Sequence, residues 1–554
     1  MTNTDLPELG PEGRARARAL AALRLADVAP TSVIEFVSRG RCLVVGAEAP
    51  ALDLVRGLRG HLECTVVVPG DAAPDLDQVD GTLVVRGGRP LIRGALGDFA
   101  VSLASGGRNQ PLGAMLSPPV ERFDLVVDLG SPSLLRQAML PLGYYAPGAD
   151  EDARAALLET LPEMRGEFEK PKYFNYNPEI CAHGRSGKRG CTRCIDVCPA
   201  EAIVSIGEKV QVNPYLCQGG GACATTCPSG AMTYAYPTAG DLLSALRRLL
   251  RDYHEAGGAS PTLLFHDAAS AATLEQGLAA GMPERVLPVA IEEIGSVGMD
   301  VWLACLAYGA EAVMLLTCDG TPAQIIEALQ EQVTTAQAIL GGMGYEASRL
   351  CIVNGDQPVL ASQVLQAVPT GQSHPAATFV APTADKRGTL RLALQHLQSN
   401  APAPKRVTAL PAGAPFGEVR VNVAACTLCM SCVSSCPTHA LQDGRGLPQL
   451  NFREWNCVQC GLCERTCPEN AIALSPRFLH DQEARERPRI LHEEQPVCCI
   501  ACGKPFATRS MLDKLSRKLE GHWMFQNEEA RRRLHMCEDC RVRDLFTAEA
   551  RKGR

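Results

Sequence analysis

Short apolar runs alternate with longer amphipathic segments in two stretches of the chain. In residues 1–170 the runs RCLVVGA, CTVVVPG, TLVVRG and FDLVVDLG are rich in β-branched residues, and helix-like segments separate them. In residues 238–372 the helix-like DLLSALRRLLRDYHEAGG precedes TLLFHD, RVLPVA, AVMLLTC and LCIVNGD. Buried strands that alternate with helices predict an α/β domain in each stretch, with roughly four parallel strands in the second.

Cysteine-rich segments separate and follow these two domains. Residues 171–237 and 419–475 carry repeated cysteine runs, and residues 496–554 form a last, smaller cysteine module. Residues 373–418 are rich in Pro, Ala and Thr, and residues 476–495 are highly charged, so both are predicted to be linkers. A helix around TLRLALQHLQ is expected to interrupt the first linker. The predicted fold class is multidomain α/β plus α+β, in which two α/β domains alternate with two cysteine-rich domains.

The length, composition and net charge indicate which classes of protein this sequence can belong to. The chain has 554 residues, too many for one core, and its 46% apolar and 21% charged content is ordinary for a soluble protein. The formal net charge of -7 argues against a nucleic-acid partner, which favours a basic surface. No uncharged run reaches transmembrane length, and the N-terminus lacks the apolar region of a secretory signal.

The 25 cysteines are the dominant feature of the sequence. Many of them recur at two- and three-residue spacings, which is typical of metal ligation rather than of disulfides. Because nothing directs export and disulfides are uncommon in the cytosol, the cytoplasm is the expected compartment.

The clearest motif is the pair CTLCMSCVSSCP and CVQCGLCERTCP. Both fit the C-x2-C-x2-C-x3-C-P run that holds [4Fe–4S] clusters in bacterial ferredoxins, where the fourth cysteine of each run ligates the other cluster. The predicted ligands of one [4Fe–4S] cluster are therefore Cys426, Cys429, Cys432 and Cys467. Those of the other are Cys457, Cys460, Cys463 and Cys436.

Residues 181–199, CAHGRSGKRGCTRCIDVCP, hold a variant of this run. Nine residues separate the first two cysteines, and they are predicted to form a basic loop beside the cluster. This loop either acts on the site, by raising its reduction potential or by meeting an acidic partner, or is a solvated insertion. His183 is an alternative ligand, but a thiolate at the head of the run is preferred. The predicted ligands of a third [4Fe–4S] cluster are Cys181, Cys191, Cys194 and Cys227.

The following run, CQGGGACATTCPSGA, has Gly220 where the template requires its second cysteine. The remaining ligands are Cys217, Cys223 and Cys198. Three thiolates predict a [3Fe–4S] cluster, or a [4Fe–4S] cluster whose fourth ligand is water or another residue. An empty site is the further alternative.

The C-terminal module contains CCIACGKPF and CEDC. Two C-x2-C knuckles without a following proline predict one structural Zn²⁺ rather than an iron–sulfur cluster or free thiols. The predicted zinc ligands are Cys499, Cys502, Cys537 and Cys540. Cys498 is expected to be a spare neighbour, whereas Cys42, Cys64 and Cys305 are expected in apolar cores.

The two pairs of cysteine runs resemble bacterial two-cluster ferredoxin domains, and the C-terminal module resembles a zinc knuckle. The segment RVLPVAIEEIGSVGMDVWLACLAYGAEAVMLLTC resembles the iron–sulfur subunit that links hydrogenases to heterodisulfide reductase. That family binds a [2Fe–2S] cluster; here Cys318 matches one ligand, but Ala290 stands where another is expected, so no cluster is expected there. The whole arrangement resembles cytoplasmic polyferredoxin-like proteins of proteobacteria, which implies a redox partner such as formate dehydrogenase.

These observations predict an electron-transfer protein that relays single electrons through about four clusters, between a redox enzyme and another carrier. An accessory protein that assembles or delivers a metalloenzyme cofactor is one alternative. A reductase component with flavin or nucleotide on an α/β domain is another. The sequence contains no phosphate-binding loop and no nucleophile–base pair, so no catalytic residue is predicted, and an oxidoreductase subunit is favoured over a stand-alone enzyme.

Overall fold

The structure is a computed structural model that describes residues 9–23, 28–279, 281–357, 374–382 and 385–552. Residues 1–8 lie outside the described residues; they begin the N-terminal segment that lacks the apolar region of a secretory signal. Residues 358–373, at the predicted boundary between the second α/β domain and the first linker, also lie outside the described residues.

A mixed eight-stranded sheet forms the N-terminal α/β domain. Its spatial order is Arg108–Pro111, Ala100–Ser105, Thr82–Arg93, Glu63–Val68, Arg41–Val45, Leu125–Asp128 and Tyr144–Tyr145, with Gly70–Val79 paired to Thr82–Arg93. The central strands run parallel and the edge strands from Thr82–Arg93 outward run antiparallel. Helices Glu48–Leu58 and Glu151–Thr160 cover one face of this sheet, and the short helix Leu112–Met115 lies on the other. Strands Val33–Ser38 and Gly166–Pro171 pair separately.

The central α/β domain has four parallel strands, as predicted, in the spatial order Val286–Ala290, Thr262–His266, Ala312–Thr317 and Leu350–Asn354. Its helices are Ala239–Glu255, Ala271–Ala279, Met299–Ala307 and Ala323–Met343. The N-terminal helix Pro11–Ala22 also packs here, because the Glu284 carboxylate accepts hydrogen bonds from the N–H groups of Gly10 and Gly13.

The segments expected to be linkers carry secondary structure and pack against the domains. Helix Lys386–Ser399 buries Leu390, Leu394 and Leu397 in the central core, because their spacing places them on one helical face. Strand Val407–Ala409 follows it, and the charged segment after residue 475 contains helix Gln482–Glu486 and strand Arg489–Glu493. The helix was expected around TLRLALQHLQ, but the elements of the charged segment were not, because the high charge there gave no sign that its arginines pair with buried glutamates. Arg489, for example, pairs with Glu454.

The two cysteine-rich segments share one strand topology. In residues 174–234, the first cysteine domain, strand Phe174–Tyr176 pairs with Met232–Tyr234 and encloses the hairpin Ile203–Ile206/Lys209–Val212. In residues 417–479, the second cysteine domain, Gly417–Val421 pairs with Ile472–Leu479 and encloses Leu441–Asp443/Gln449–Phe452. The short helices that follow cysteine loops are Arg193–Asp196, Ala222–Thr225, Ser431–Ser434 and Leu462–Thr466. A small hairpin, Gly184–Arg185/Lys188–Arg189, lies in the basic insertion.

The C-terminal module combines the hairpin Pro496–Cys498/Pro505–Thr508 with helices Arg509–Leu519, Glu528–Arg533 and Glu538–Lys552. One-turn 3₁₀ helices lie at Leu161–Glu163, Pro178–Ile180, Ile294–Ser296, Ala347–Arg349, Glu454–Asn456 and Trp523–Phe525. Within the described ranges, no helix combines the length and apolar character that crossing a membrane requires.

Candidate metal centres

Three cysteine loops share an unusual backbone. The second and fourth residues after the first cysteine have positive φ in each loop; these residues are Leu428 and Met430, Gln459 and Gly461, and Gly219 and Gly221. Left-handed residues turn the chain sharply, so that it wraps around the space between the cysteines. The loop from Cys217 to Cys223 therefore retains the backbone of the other two although Gly220 carries no side chain.

The turn after the last cysteine of each run is also repeated. The third residue after this cysteine is left-handed in all four runs, at Glu201, Gly230, His439 and Asn470. The backbone N–H groups of Ala202, Ala440 and Ala471 then donate to Sγ of Cys198, Cys436 and Cys467 at 3.2–3.3 Å. The N–H of Met232 donates in the same way to Cys227 Sγ at 3.4 Å. Such donors stabilise the thiolate form, which is the form that binds iron.

In the second cysteine domain, the structure brings each predicted set of four cysteines together. Cys426, Cys429, Cys432 and Cys467 line one small cavity. Burial raises the pKa of Cys432 to about 12, and the charges of the other three cysteines add to the shift. Burial likewise raises the pKa of Cys463, with further contributions from Cys457, Cys460 and Cys436. Thiols grouped in fours suit iron, which binds the thiolate and displaces the proton.

The third predicted set is assembled in the first cysteine domain. Burial raises the pKa of Cys194, and the neighbouring Cys227, Cys191 and Cys181 raise it further. His183, the alternative ligand, is buried, and its ring nitrogens lie 2.8 Å from the Cys191 carbonyl oxygen and 2.7 Å from Ser205 Oγ. Both nitrogens therefore have hydrogen-bond partners already, which favours Cys181 as the ligand.

The three cysteines of the incomplete set also lie together. Cys198, Cys217 and Cys223 line one cavity, and Gly220 forms part of its wall. Burial raises the pKa of Cys223 well above its usual range, and the charges of Cys217 and Cys198 contribute. The Lys170 ammonium group donates to the Cys217 carbonyl oxygen at 2.7 Å and anchors the start of the loop.

The basic insertion joins the two cysteine domains. A Cβ atom on Gly190 would lie 2.7 Å from the Leu462 Cγ atom, and the Arg465 guanidinium donates to the Arg189 carbonyl oxygen. Burial raises the pKa of Cys460 to about 12, and Cys191 is among the neighbouring cysteines that contribute. The base of the insertion is thus an interdomain contact, a role that neither of the two sequence interpretations included.

Two consecutive cations lie between the cysteine domains, and sequence reasoning missed both. The Lys386 ammonium group donates to the Ala224 carbonyl oxygen at 2.9 Å, and the Arg387 guanidinium donates to the Trp455 carbonyl oxygen. Burial lowers the pKa of Lys386 and lowers that of Arg387 to about 10. Cys227 lies close enough to raise the pKa of Lys386, and Cys457 close enough to raise that of Arg387. Each cation therefore adds positive charge beside one set of thiolates.

The C-terminal cysteines form a tighter group than the ferredoxin-type sets. The Sγ atoms of Cys499, Cys502, Cys537 and Cys540 all lie within 4.8 Å of one another. One tetrahedral Zn²⁺, with Zn–S bonds of about 2.3 Å, separates its sulfurs by about 3.8 Å, so this group fits a single ion. Cys498 is exposed and lies outside the group.

The C-terminal module is attached to the second cysteine domain. The Thr508 hydroxyl donates to the Thr427 carbonyl oxygen at 3.1 Å, and Lys514 pairs with Glu469. Thr427 lies in the loop that carries Cys426, so the four-cysteine group adjoins a predicted cluster loop.

The remaining cysteines considered from sequence lie outside the predicted sets, and Cys42, Cys64 and Cys305 lie in or against apolar cores. Cys42 is buried and pairs in register with Cys64 of the neighbouring strand. Cys305 is buried in the central core. Cys318 is also buried, and its N–H donates to the Thr321 hydroxyl at 3.2 Å.

Comparison with known proteins identifies similarity in the second cysteine domain. Residues 425–472 match the family described as 4Fe-4S dicluster domain. The "Ferredoxin-type protein NapF" of Escherichia coli (strain K12) is 40% identical over 53 residues, which are 9% of this chain and 31% of that protein. NapF of Escherichia coli O157:H7 matches to the same extent. The chain thus spans less than a third of the length of these curated relatives. Together with the cysteine geometry, these similarities support an iron–sulfur protein of the ferredoxin type.

Proposed function

We propose that the protein is an electron carrier with four iron–sulfur sites arranged in a line. Three sites are the [4Fe–4S] sets named above, and the fourth is the incomplete set of Cys198, Cys217 and Cys223. When bound, the clusters supply one-electron transfer, at potentials set by cluster type, charge and hydrogen bonding. A redox enzyme and a second carrier are the proposed partners.

The observation that carries this proposal is the close packing of Gly190 against Leu462, which brings Cys191 near enough to Cys460 for their charges to interact. Cys191 and Cys460 belong to different cysteine domains. Within the first cysteine domain, Cys223 of the incomplete set adjoins Cys194 of its neighbour. Within the second, Cys463 of one set adjoins Cys432 of the other. The sites therefore follow one another in a single order, starting from the incomplete set.

The two ends of this order differ in their surroundings. At the final set, Cys429 is exposed to solvent. At the incomplete set, Gly220 and Gly221 are buried, since Met139 of the N-terminal domain and Ser296 of the central domain pack against them. We therefore place the docking of a redox partner at the Cys429 end. The resemblance to polyferredoxin-like proteins makes a formate dehydrogenase the first partner to test.

We also propose one structural Zn²⁺ at Cys499, Cys502, Cys537 and Cys540, and a cytoplasmic location, where reduced thiols persist. The zinc module would hold Thr508 against the Cys426 loop and so support the end of the relay that meets the partner.

The test is iron, sulfide and zinc analysis with EPR on anaerobically purified protein, followed by stepwise reduction. We expect 15 or 16 iron atoms, about one zinc, and broadened signals from magnetically coupled neighbouring clusters in the reduced protein. About eight iron atoms, with signals from the second cysteine domain alone, would overturn the four-site relay. If the incomplete set lost its iron reversibly, while the other three clusters and the fold stayed unchanged, the accessory-protein alternative would be favoured.

A further inference from the structure

A methionine lies at the place of the missing cysteine. A Cβ atom on Gly220 would lie 3.0 Å from the Sδ atom of Met139. Met139 also lines the cavity formed by Cys198, Cys217 and Cys223. The loop around Gly220 retains the left-handed turns of the complete loops, so residue 220 occupies the position from which a cysteine would point at the cluster.

Met139 is held at this place by the neighbouring run. Its backbone N–H donates to the carbonyl oxygen of Pro199 at 3.1 Å, directly after Cys198. Pro199 and Ile325 fill the rest of the space around the Gly220 position, at 3.3 and 3.4 Å. The backbone of Met139 is therefore fixed beside the cluster loop, and its thioether lies in the remaining space next to Gly220.

Two of the polar side chains that line this cavity are hydrogen-bonded elsewhere. The Tyr234 hydroxyl donates to the Gly219 carbonyl oxygen at 2.8 Å, and the Gln218 amide donates to the Leu216 carbonyl oxygen at 3.0 Å. Thioether sulfur is a soft donor that suits iron–sulfur clusters. The side chains that line the cavity thus include four sulfur donors, which are the three cysteines and Met139.

We propose that Met139 Sδ is the fourth protein ligand of this site, so that three cysteines and one methionine hold a complete [4Fe–4S] cluster. The proposal rests on the proposed function, because it requires the site to bind a cluster. Ligation forms one Fe–S bond to a neutral sulfur and transfers no electron. A neutral ligand also leaves this site with one negative charge fewer than a four-cysteine site, which raises its reduction potential.

The experiment compares the wild type with Met139→Leu, which removes the sulfur at similar volume, and with Met139→Cys, which restores a sulfur. Met115→Leu, in the same domain and away from the cavity, is the matched control. Each protein is purified anaerobically and treated with a small excess of ferricyanide. This oxidant accepts the electron in [4Fe–4S]²⁺ → [3Fe–4S]⁺ + Fe²⁺ + e⁻. Iron is then counted and the oxidised-state [3Fe–4S] EPR signal is integrated.

We expect about 16 iron atoms and little [3Fe–4S] signal in the wild type, the Met115→Leu variant and the Met139→Cys variant. The Met139→Leu variant should retain about 15 iron atoms and show about one [3Fe–4S] spin per chain, while its other three clusters reduce normally. A Met139→Leu protein identical to the wild type at 16 iron atoms would overturn the ligand assignment and leave the relay intact. So would a wild type isolated with 15 iron atoms and a full [3Fe–4S] signal. A wild type with 12 iron atoms would instead remove the fourth site from the relay itself, and the ligand with it.

Discussion

Gly190 packs so closely against Leu462 that a single added methyl group would bring the two residues to 2.7 Å. Gly190 precedes Cys191 of the first cysteine domain, and Leu462 precedes Cys463 of the second. The contact therefore joins the two loops whose cysteines come together at the domain boundary, and it should control how well the two halves of the relay communicate.

Replacing Gly190 with alanine should separate the two cysteine domains. The added Cβ would also lie 2.5 Å from the Ala182 carbonyl oxygen, so the insertion must shift, at a cost of about 1–3 kcal/mol. We expect full iron content but at least tenfold slower electron transfer between domains. Photoreduction followed by freeze-quench EPR measures this rate as the delay between signals of the two domains.

Gly187→Asn is the matched control in the same insertion. Gly187 is left-handed, with φ +71°, and a Cβ there would contact nothing within 4 Å. Asparagine tolerates this conformation, so transfer should remain at the wild-type rate. If Gly190→Ala transfers as fast as Gly187→Asn, the Gly190–Leu462 contact is not the route between the domains.

The proposed crossing of the fourth cysteines predicts which substitutions have the same effect. Cys467→Ser should weaken the same cluster as Cys426→Ser, because both residues line one cavity, whereas Cys436→Ser should match Cys457→Ser. Each variant should lose up to about four iron atoms or show an altered signal from one cluster only. EPR-monitored redox titration of the four proteins sorts them into pairs. Pairing of Cys467→Ser with Cys457→Ser would contradict the crossed arrangement.

Sequence reasoning could predict the cysteine sets because their chemistry is local. The spacing within a loop decides which thiols can reach one cluster, and the two complete loops turn at Leu428 and Gln459. Met139 carries no such signal, since an apolar residue far upstream of Gly220 is indistinguishable in sequence from an ordinary core residue. Only the packing of the N-terminal domain on the first cysteine domain brings its sulfur to the site.

The segments expected to be linkers show a related limit of local composition. Proline and alanine around residues 401–415 indicate an extended chain, but the preceding helix, Lys386–Ser399, places Leu390 and Leu394 in the central core. Its first residues, Lys386 and Arg387, then reach both cysteine domains. A charged or proline-rich composition describes the local chain and does not reveal which neighbours are available to cover it.

Loss of zinc should release the C-terminal module. Cys537→Ser removes one of four sulfurs that lie within 4.8 Å, so the zinc content should fall from about one to near zero. Because Thr508 holds the Thr427 loop, we also expect faster protease cleavage after residue 495 and a changed signal from the Cys426 cluster. Cys498→Ser is the control, since Cys498 is exposed and lies outside the group. The zinc assignment would be contradicted if the Cys537→Ser variant kept about one zinc per chain, or if the Cys498→Ser variant lost as much zinc as Cys537→Ser.

The cation next to the second cysteine domain should set the potential of one cluster. The Arg387 guanidinium packs over the rings of Phe416 and Trp455, both 4.9 Å away, and lies close enough to Cys457 to interact with its charge. A partly buried positive charge stabilises the reduced, more negative form of a cluster. Arg387→Met should therefore lower the reduction potential of the Cys457 cluster, by on the order of 50 mV for a one-electron couple.

A redox titration followed by EPR measures this shift, and the other clusters serve as internal references. Arg391→Met is the matched control, because Arg391 lies on the same helix but points to solvent and pairs with Glu486 at 2.7 Å. Screening by water should keep the effect of Arg391→Met within a few millivolts. Equal shifts in the two variants would mean that Arg387 acts through the helix and not through its charge. A shift confined to Arg387→Met would instead mean that helix Lys386–Ser399, in the segment predicted to be a linker, sets the difference in reduction potential between clusters of the two cysteine domains.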